Sequence, residues 1–350
     1  MIEPRAGLGV GGGYHSPQLD VSVRLNTNES PFSPSREMLE RWYGEVTTSN
    51  LNRYPDRSAT KLRGVIASYH GVDPSSVFVA NGSNEVIQTI LLTYGGAGRR
   101  SASFEPTYAM YETISRTTGT SYFAFERDAN FLIDGKSAIS QFDDNEIDVG
   151  FLCSPNNPTG LLEDLDIALQ LSSDGKRLVV VDEAYGQFNE VDSVQFAKGH
   201  SGIVVIRTFS KIWSMAGLRV GYAIGDPHVI ENLWSVCLPY HFDTSKAKLA
   251  ELAFEYVDEM EARVGFLRAE RDRIMDFFET LPVTYWRSSA NFILFRPDSI
   301  DGHKLWEMLL ERSILVRDWS RWPRLDNCLR VTVGTAHEND LFMEALGDIL

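Results

Sequence analysis

Cysteine is scarce in this chain. Cys153, Cys237 and Cys328 are the only three among 350 residues, they are far apart, and no CxxC pair occurs. That spacing rules against a disulfide framework or a thiolate metal site and suits the reduced, buried thiols of a cytosolic protein. Long apolar runs are missing too, so no segment is expected to span a bilayer. The first twenty residues lack an apolar stretch behind a basic start, so no secretory signal is expected. Positive charge is in short supply: 33 Lys and Arg face 48 Asp and Glu, for a net charge of −15. Such an acidic chain is a poor partner for nucleic acid or an anionic membrane, although a locally basic pocket can still hold a small anion. No repeat or low-complexity tract is visible. Gly7-Leu8-Gly9-Val10-Gly11-Gly12 fits GxGxxG, but no strand precedes it, as a dinucleotide fingerprint requires, so it reads as a flexible arm.

What is present is an enzyme-sized globular composition, 43% hydrophobic and 23% charged, long enough for two domains. From about 77 to 225, short apolar β-branched runs alternate with helical patterns, which implies a mostly parallel sheet with helices on both faces. Residues 126–147 read as a polar, acidic connection. After Pro239 the texture changes. Residues 245–280 read as one long charged helix, followed by a strand at 292–295, a helix at 302–311, strands near 315–316 and 329–333, and a last helix from 338. The division expected is an arm with a small-domain contribution (1–30), a large α/β domain (31–240) and a small α+β domain (241–350).

Polar groups gather where the large-domain strands end. The run Ile203-Val204-Val205-Ile206 leads into Thr208-Phe209-Ser210-Lys211. A lysine at the carboxyl end of a buried strand is a surface charge or, if desolvated, an amine able to condense with a carbonyl. Val77–Ala80 ends at Gly82-Ser83-Asn84, where a helix starts, a layout that suits an anion. Tyr108 follows the strand at 101–104, Asn157 the strand at 149–153, and Asp182 and Tyr185 the strand at 177–181. In a parallel sheet all five ends share one edge, the edge where open α/β sheets bind ligands. The set matches the needs of pyridoxal 5′-phosphate. Lys211 would hold its aldehyde and move protons, and Asp182 would pair with the ring nitrogen. Asn157 and Tyr185 would bond the phenolic oxygen, and Tyr108 would stack on the ring. Gly82, Ser83, Asn84, Ser210 and Arg219 would hold the phosphate.

Five segments, Asn52-Arg53-Tyr54-Pro55, Pro106-Thr107-Tyr108, Ser154 to Gly160, Val181 to Tyr185 and Thr208 to Gly221, resemble, in order and type, the motifs of fold-type I aminotransferases. More narrowly, Leu25 to Glu29, Tyr14 ahead of Pro17-Gln18, Leu238 to His241 and Leu329 to Thr335 resemble the histidinol-phosphate aminotransferase family. The resemblance implies a seven-stranded, mostly parallel sheet beside a smaller α+β domain. It also implies a cytoplasmic homodimer, with transfer of an amino group from L-histidinol phosphate to 2-oxoglutarate. Tyr54 would reach the cofactor phosphate of the other subunit. Arg330 would grip a substrate carboxylate, and Arg317 and Tyr14 would line the substrate-phosphate pocket, with Asn157 also touching substrate. An aminotransferase for aromatic or other amino acids and a phospho-amino-acid decarboxylase remain alternatives on the same scaffold. Ile212-Trp213 departs from the family pattern of a small residue and phenylalanine, so Trp213 either repacks the core or narrows a pocket.

Overall fold

The structure is a computed structural model that describes residues 2, 3, 8 and 18–350. Tyr14 and the glycines of 7–12 lie outside the described residues. A short strand, β1 (Val23–Leu25), precedes the two helices Arg36–Thr47 and Thr60–His70. The large sheet then collects β2 (Val77–Ala80), β3 (Arg100–Glu105), β4 (Ser121–Glu126), β5 (Val149–Cys153), β6 (Leu178–Asp182), β7 (Ile203–Thr208) and β8 (Gly221–Gly225). Their order is β2-β8-β7-β6-β5-β3-β4, as expected for seven strands, and only the pairs made by β8 are antiparallel. Two reversals leave β2 running the same way as β7. The carboxyl ends of β2, β3, β5, β6 and β7 therefore share one edge.

Strands β5 to β8 are buried along their whole length, because helices cover both faces. The period-two alternation of strand side chains divides the core. Phe151, Val180, Val204 and Ile206 face one cluster with Val86, Ile90 and Ile230. Leu152, Val179, Val181 and Val205 face the other, which runs on into the second sheet through Phe278, Phe292 and Phe342. That sheet adds β9 (Val283–Tyr285), β10 (Phe292–Pro297), β11 (Ile314–Asp318) and β12 (Leu329–Thr332), in the order β1-β11-β12-β10-β9. The N-terminal strand β1 thus pairs, in parallel, with β11 from the far end of the chain.

Local chemistry sets most helix ends. Ser35 accepts from Met38 N at the start of Arg36–Thr47, Gly71 closes Thr60–His70 in the left-handed region, and Thr335 with Glu338 forms a capping box on Ala336–Ile349. Two expectations are corrected. The stretch 245–280 is not one helix: Thr244–Ala253 and Val257–Phe278 are separated by a tighter turn at Phe254–Tyr256, where Phe254 packs against Phe209 and Trp213. Within 126–147 the chain forms a helix, Gly135–Asp144, capped by Asp134 and seated on buried Ala138 and Phe142. Helix Pro227–Val236, strand β9 and the short helix Val194–Ala197 also form where the sequence suggested none. Among the described residues no helix is long and apolar enough to cross a membrane.

Candidate active site

A cleft of about 340 Å³ opens at the shared strand edge and is closed on its far side by the second sheet. Its lining includes Ser83, Asn84, Tyr108, Asn157, Asp182, Tyr185, Ser210, Lys211, Arg219, Arg317 and Arg330. Eleven side chains singled out from the sequence are therefore together, and Gly82 lies just behind Ser83.

Lys211 is delivered by a fixed turn. Phe209 is fully buried and its amide bonds Val220 O at 2.9 Å, while Thr208 Oγ1 accepts from Ser210 N at 3.1 Å and donates to Ser210 Oγ at 2.9 Å. The next side chain then turns into the cleft, where Lys211 Nζ donates to the carbonyls of Asn28 at 2.9 Å and Thr27 at 3.3 Å. Loss of solvent around the amine, then the charge of Arg330, pushes its pKa down to about 7, with Glu29 opposing and Arg219 assisting. Trp213 is buried against Phe209 and Phe254 and takes no part in the cleft wall. The bulky residue after the lysine is a packing change.

Asp182 ends β6 and is 2% exposed. Its carboxylate accepts from Tyr111 Oη at 2.7 Å and from Ala184 N at 3.0 Å. Burial pushes its pKa up to about 6, against those two donors. Both partners are neutral, and among the described residues no basic side chain forms an ion pair with it.

At the other side of Lys211 sits a hollow made of donors. Gly82 has φ +87°, and a Cβ there would stand 2.6 Å from Arg219 Nη2; one on Gly221 would stand 2.4 Å from Ser83 N. Only glycine lets these chains approach so closely. The start of helix Ser83–Tyr94 points its unpaired amides here, beside Ser210 Oγ and the guanidinium of Arg219, which donates to that hydroxyl at 3.2 Å. Tyr108 borders the hollow and donates to Asn84 Oδ1 at 3.0 Å.

The adjacent amides Asn156 and Asn157 have different roles. Asn156 is wholly buried and ties the loop after β5 to the loop after β3, accepting from Thr107 Oγ1 at 2.7 Å and donating to Pro106 O at 3.1 Å. Asn157 faces the cleft and accepts from Arg330. Arg330 also donates to Asn26 O at 3.1 Å and lies over Phe292 and Trp319. Arg317 stands on the same wall, 5.2 Å from the Trp319 ring. Tyr54 is elsewhere: it is 80% exposed and stacks on Tyr240 at 4.5 Å.

Tyr111, buried behind Asp182, and Asn28 and Trp319 in the cleft wall carried no assigned role in the sequence. Tyr111 was legible in principle, since it follows Tyr108 by one helical turn. Asn28 was visible only as part of a motif, and Trp319 gave no signal.

The family model for aminotransferase class I and II matches residues 21–346. A histidinol-phosphate aminotransferase from Thermobifida fusca is 40% identical over 95% of this chain and 91% of its own length. The crystal structure of the histidinol-phosphate aminotransferase from Clostridium acetobutylicum superposes with a TM-score of 0.86 at 25% identity, covering 93% of this chain and 98% of that one. That from Sinorhizobium meliloti, solved in complex with pyridoxal-5′-phosphate, shares the fold at a TM-score of 0.89 and 18% identity, covering 100% and 98% of the two chains. With its strand order, its cleft and its relatives in agreement, the chain belongs to the class I and II aminotransferase family.

Proposed function

We propose that this protein is a histidinol-phosphate aminotransferase that uses pyridoxal 5′-phosphate to move the amino group of L-histidinol phosphate to 2-oxoglutarate, giving imidazole-acetol phosphate and L-glutamate. The observation that carries the reading is one cleft holding both a lysine amine with a pKa of about 7 and a buried carboxylate without a cation. Relatives such as the T. fusca protein are named for this activity.

The residues fit the cofactor. A protonated ring nitrogen would supply the positive charge that Asp182 lacks, and the hollow at Gly82, Ser83, Asn84, Ser210 and Arg219 offers backbone N–H groups, a hydroxyl and a guanidinium, as a phosphate requires. Tyr108 would cover a ring face, and Asn157 and Tyr185 would bond a phenolic oxygen. Once bound, the cofactor supplies an aldehyde that condenses with amines and a ring that accepts the electron pair left when a substrate carbon loses its proton. The chain does the rest. Lys211 Nζ, largely unprotonated above neutral pH, would take the proton from the substrate carbon bearing nitrogen and return one to the carbon on the other side of that nitrogen, a 1,3-shift. Arg330 is held by Asn157 and Asn26 O, and presents its fork to the carboxylate of 2-oxoglutarate. Arg317 receives the phosphate of the donor, with Tyr14 as its companion. Donor and acceptor use the same cleft in turn.

Adding L-histidinol phosphate to the yellow protein, with no acceptor, should abolish its visible band, and 2-oxoglutarate should restore it. A band that ignores L-histidinol phosphate but responds to unphosphorylated aromatic donors would remove the substrate assignment.

We also read the protein as a cytoplasmic homodimer in which Tyr54 reaches the phosphate hollow of the partner subunit, and the chain as divided at about residues 30 and 240. Tyr54 stands clear of its own cleft and stacks on Tyr240, and Leu51 and Leu238, close to the pair in sequence, are exposed as well, apolar side chains of the kind that an association would cover. Light scattering should return twice 39.3 kDa. Tyr54→Ala should weaken cofactor retention roughly tenfold, the loss of about one hydrogen bond to a charged group, at unchanged mass. A monomer, or a variant that holds cofactor like wild type, would refute the cross-subunit role.

A further inference from the structure

Asn28 sits in the left-handed region at φ 55°, a conformation that asparagine tolerates better than most side chains. It is 1% exposed and joins both sheets. Its amide N–H donates to Thr332 Oγ1 at 3.0 Å, and Thr332 Oγ1 donates back to Asn28 Oδ1 at 3.1 Å. Its side-chain Nδ2 donates to Tyr185 Oη at 3.0 Å. Its carbonyl accepts from Lys211 Nζ at 2.9 Å and from Asn291 Nδ2 at 3.2 Å.

These bonds have a direction. A backbone N–H can only donate, so the Thr332 oxygen accepts there and spends its one proton on Asn28 Oδ1. That fixes the carboxamide with its NH₂ toward Tyr185. The Tyr185 oxygen then accepts, and among the described residues its own proton meets no other acceptor, leaving it to be given into the cleft. We propose that Asn28 is a positioning residue that aims the Tyr185 proton at the cofactor's phenolic oxygen, with Thr332 setting the sense of the chain. The proposal rests on the cofactor reading above.

The test is a pH titration of the visible band of the cofactor-loaded protein, with no substrate present. Donation from Tyr185 favours the charged phenolic oxygen, so losing it should move the midpoint up. Asn28→Asp keeps the shape but can only accept, which turns the Tyr185 proton away from the cleft. Its midpoint should rise by roughly one unit, tenfold in the equilibrium, and Tyr185→Phe should rise similarly. In the double variant the two shifts should coincide and not add. Thr332→Val, which leaves residue 28 untouched, should move the midpoint the same way by a smaller amount and keeps the proposal testable if Asn28→Asp does not fold. A midpoint unchanged in both Asn28→Asp and Thr332→Val, or an Asn28→Asp shift that persists on top of Tyr185→Phe, would overturn the role of Asn28. A wild-type protein that takes up no cofactor would instead overturn the reading of the cleft.

Discussion

Lys211→Ala is expected to fold like the wild type and to lose turnover by at least roughly 10⁴-fold, because on the proposed function it would remove both the covalent anchor and the group that moves the substrate proton. The fold should survive since the strand and turn before the lysine are held by Thr208, Phe209 and Ser210, whose bonds do not involve its amine. Circular dichroism and a thermal melt check the first half, and steady-state assay with L-histidinol phosphate and 2-oxoglutarate the second. Turnover near the wild-type level would end the assignment. The pH dependence follows from the same residue. An amine attacks an aldehyde only when unprotonated, so cofactor uptake by the apoprotein should speed up as pH rises through about 7 and then level off. An ordinary lysine would go on accelerating toward 10. The sign for stability agrees. Between about 7 and 10.5 the unfolded chain binds this proton and the folded one does not, so its contribution to stability rises with pH in that window.

Asp182→Asn should separate activity from stability in opposite directions. In the wild type the carboxyl pKa is about 6 against an ordinary 3.8. From 3.8 to 6 the folded state holds the proton and the unfolded state does not, so folding loses stability as pH rises through that range. Above it, at pH 7, the buried charge costs on the order of 3 kcal/mol. Asparagine has no charge to bury, its Oδ1 can accept from Ala184 N, and its NH₂ can donate to Tyr111 Oη in place of the bond now running the other way. Without cofactor, the variant should therefore melt a few degrees above wild type at pH 7 and no higher at pH 4. With cofactor it should turn over roughly 10²–10⁴-fold more slowly, since on the proposed function the ring nitrogen would lose its counter-charge. A variant that is no more stable and fully active would show Asp182 to be an ordinary buried acid.

These two residues were legible in the sequence because each closes a run of buried β-branched residues, and strand ends are where a parallel sheet gathers its ligands. The hollow at Gly82 and Arg219 was readable for the same reason. What was not readable depends on distant partners. The role of Asn28 comes from Thr332, 304 residues away, and from Tyr185, 157 residues away. Tyr111 becomes part of the site only through Asp182. The break at 254–256 has no glycine or proline to mark it and is made by the packing of Phe254. The helix at 135–144 buries just two side chains, too few to show as an apolar stripe among its polar neighbours.

The reversed strand β8 also sets an order of assembly. Among the described residues, strand β2 is an edge strand whose only neighbour is β8, the last of the seven strands to be synthesised. Until residue 225 has emerged and paired, β2 has no place in the sheet, and the helix that follows it has no fixed position opposite Arg219. The anion hollow is therefore a non-local product, made late from chain segments nearly 140 residues apart. A nascent or truncated chain ending before β8 lacks it, so on the proposed function capture of the cofactor's phosphate would mark the completion of the large sheet as well as the start of chemistry.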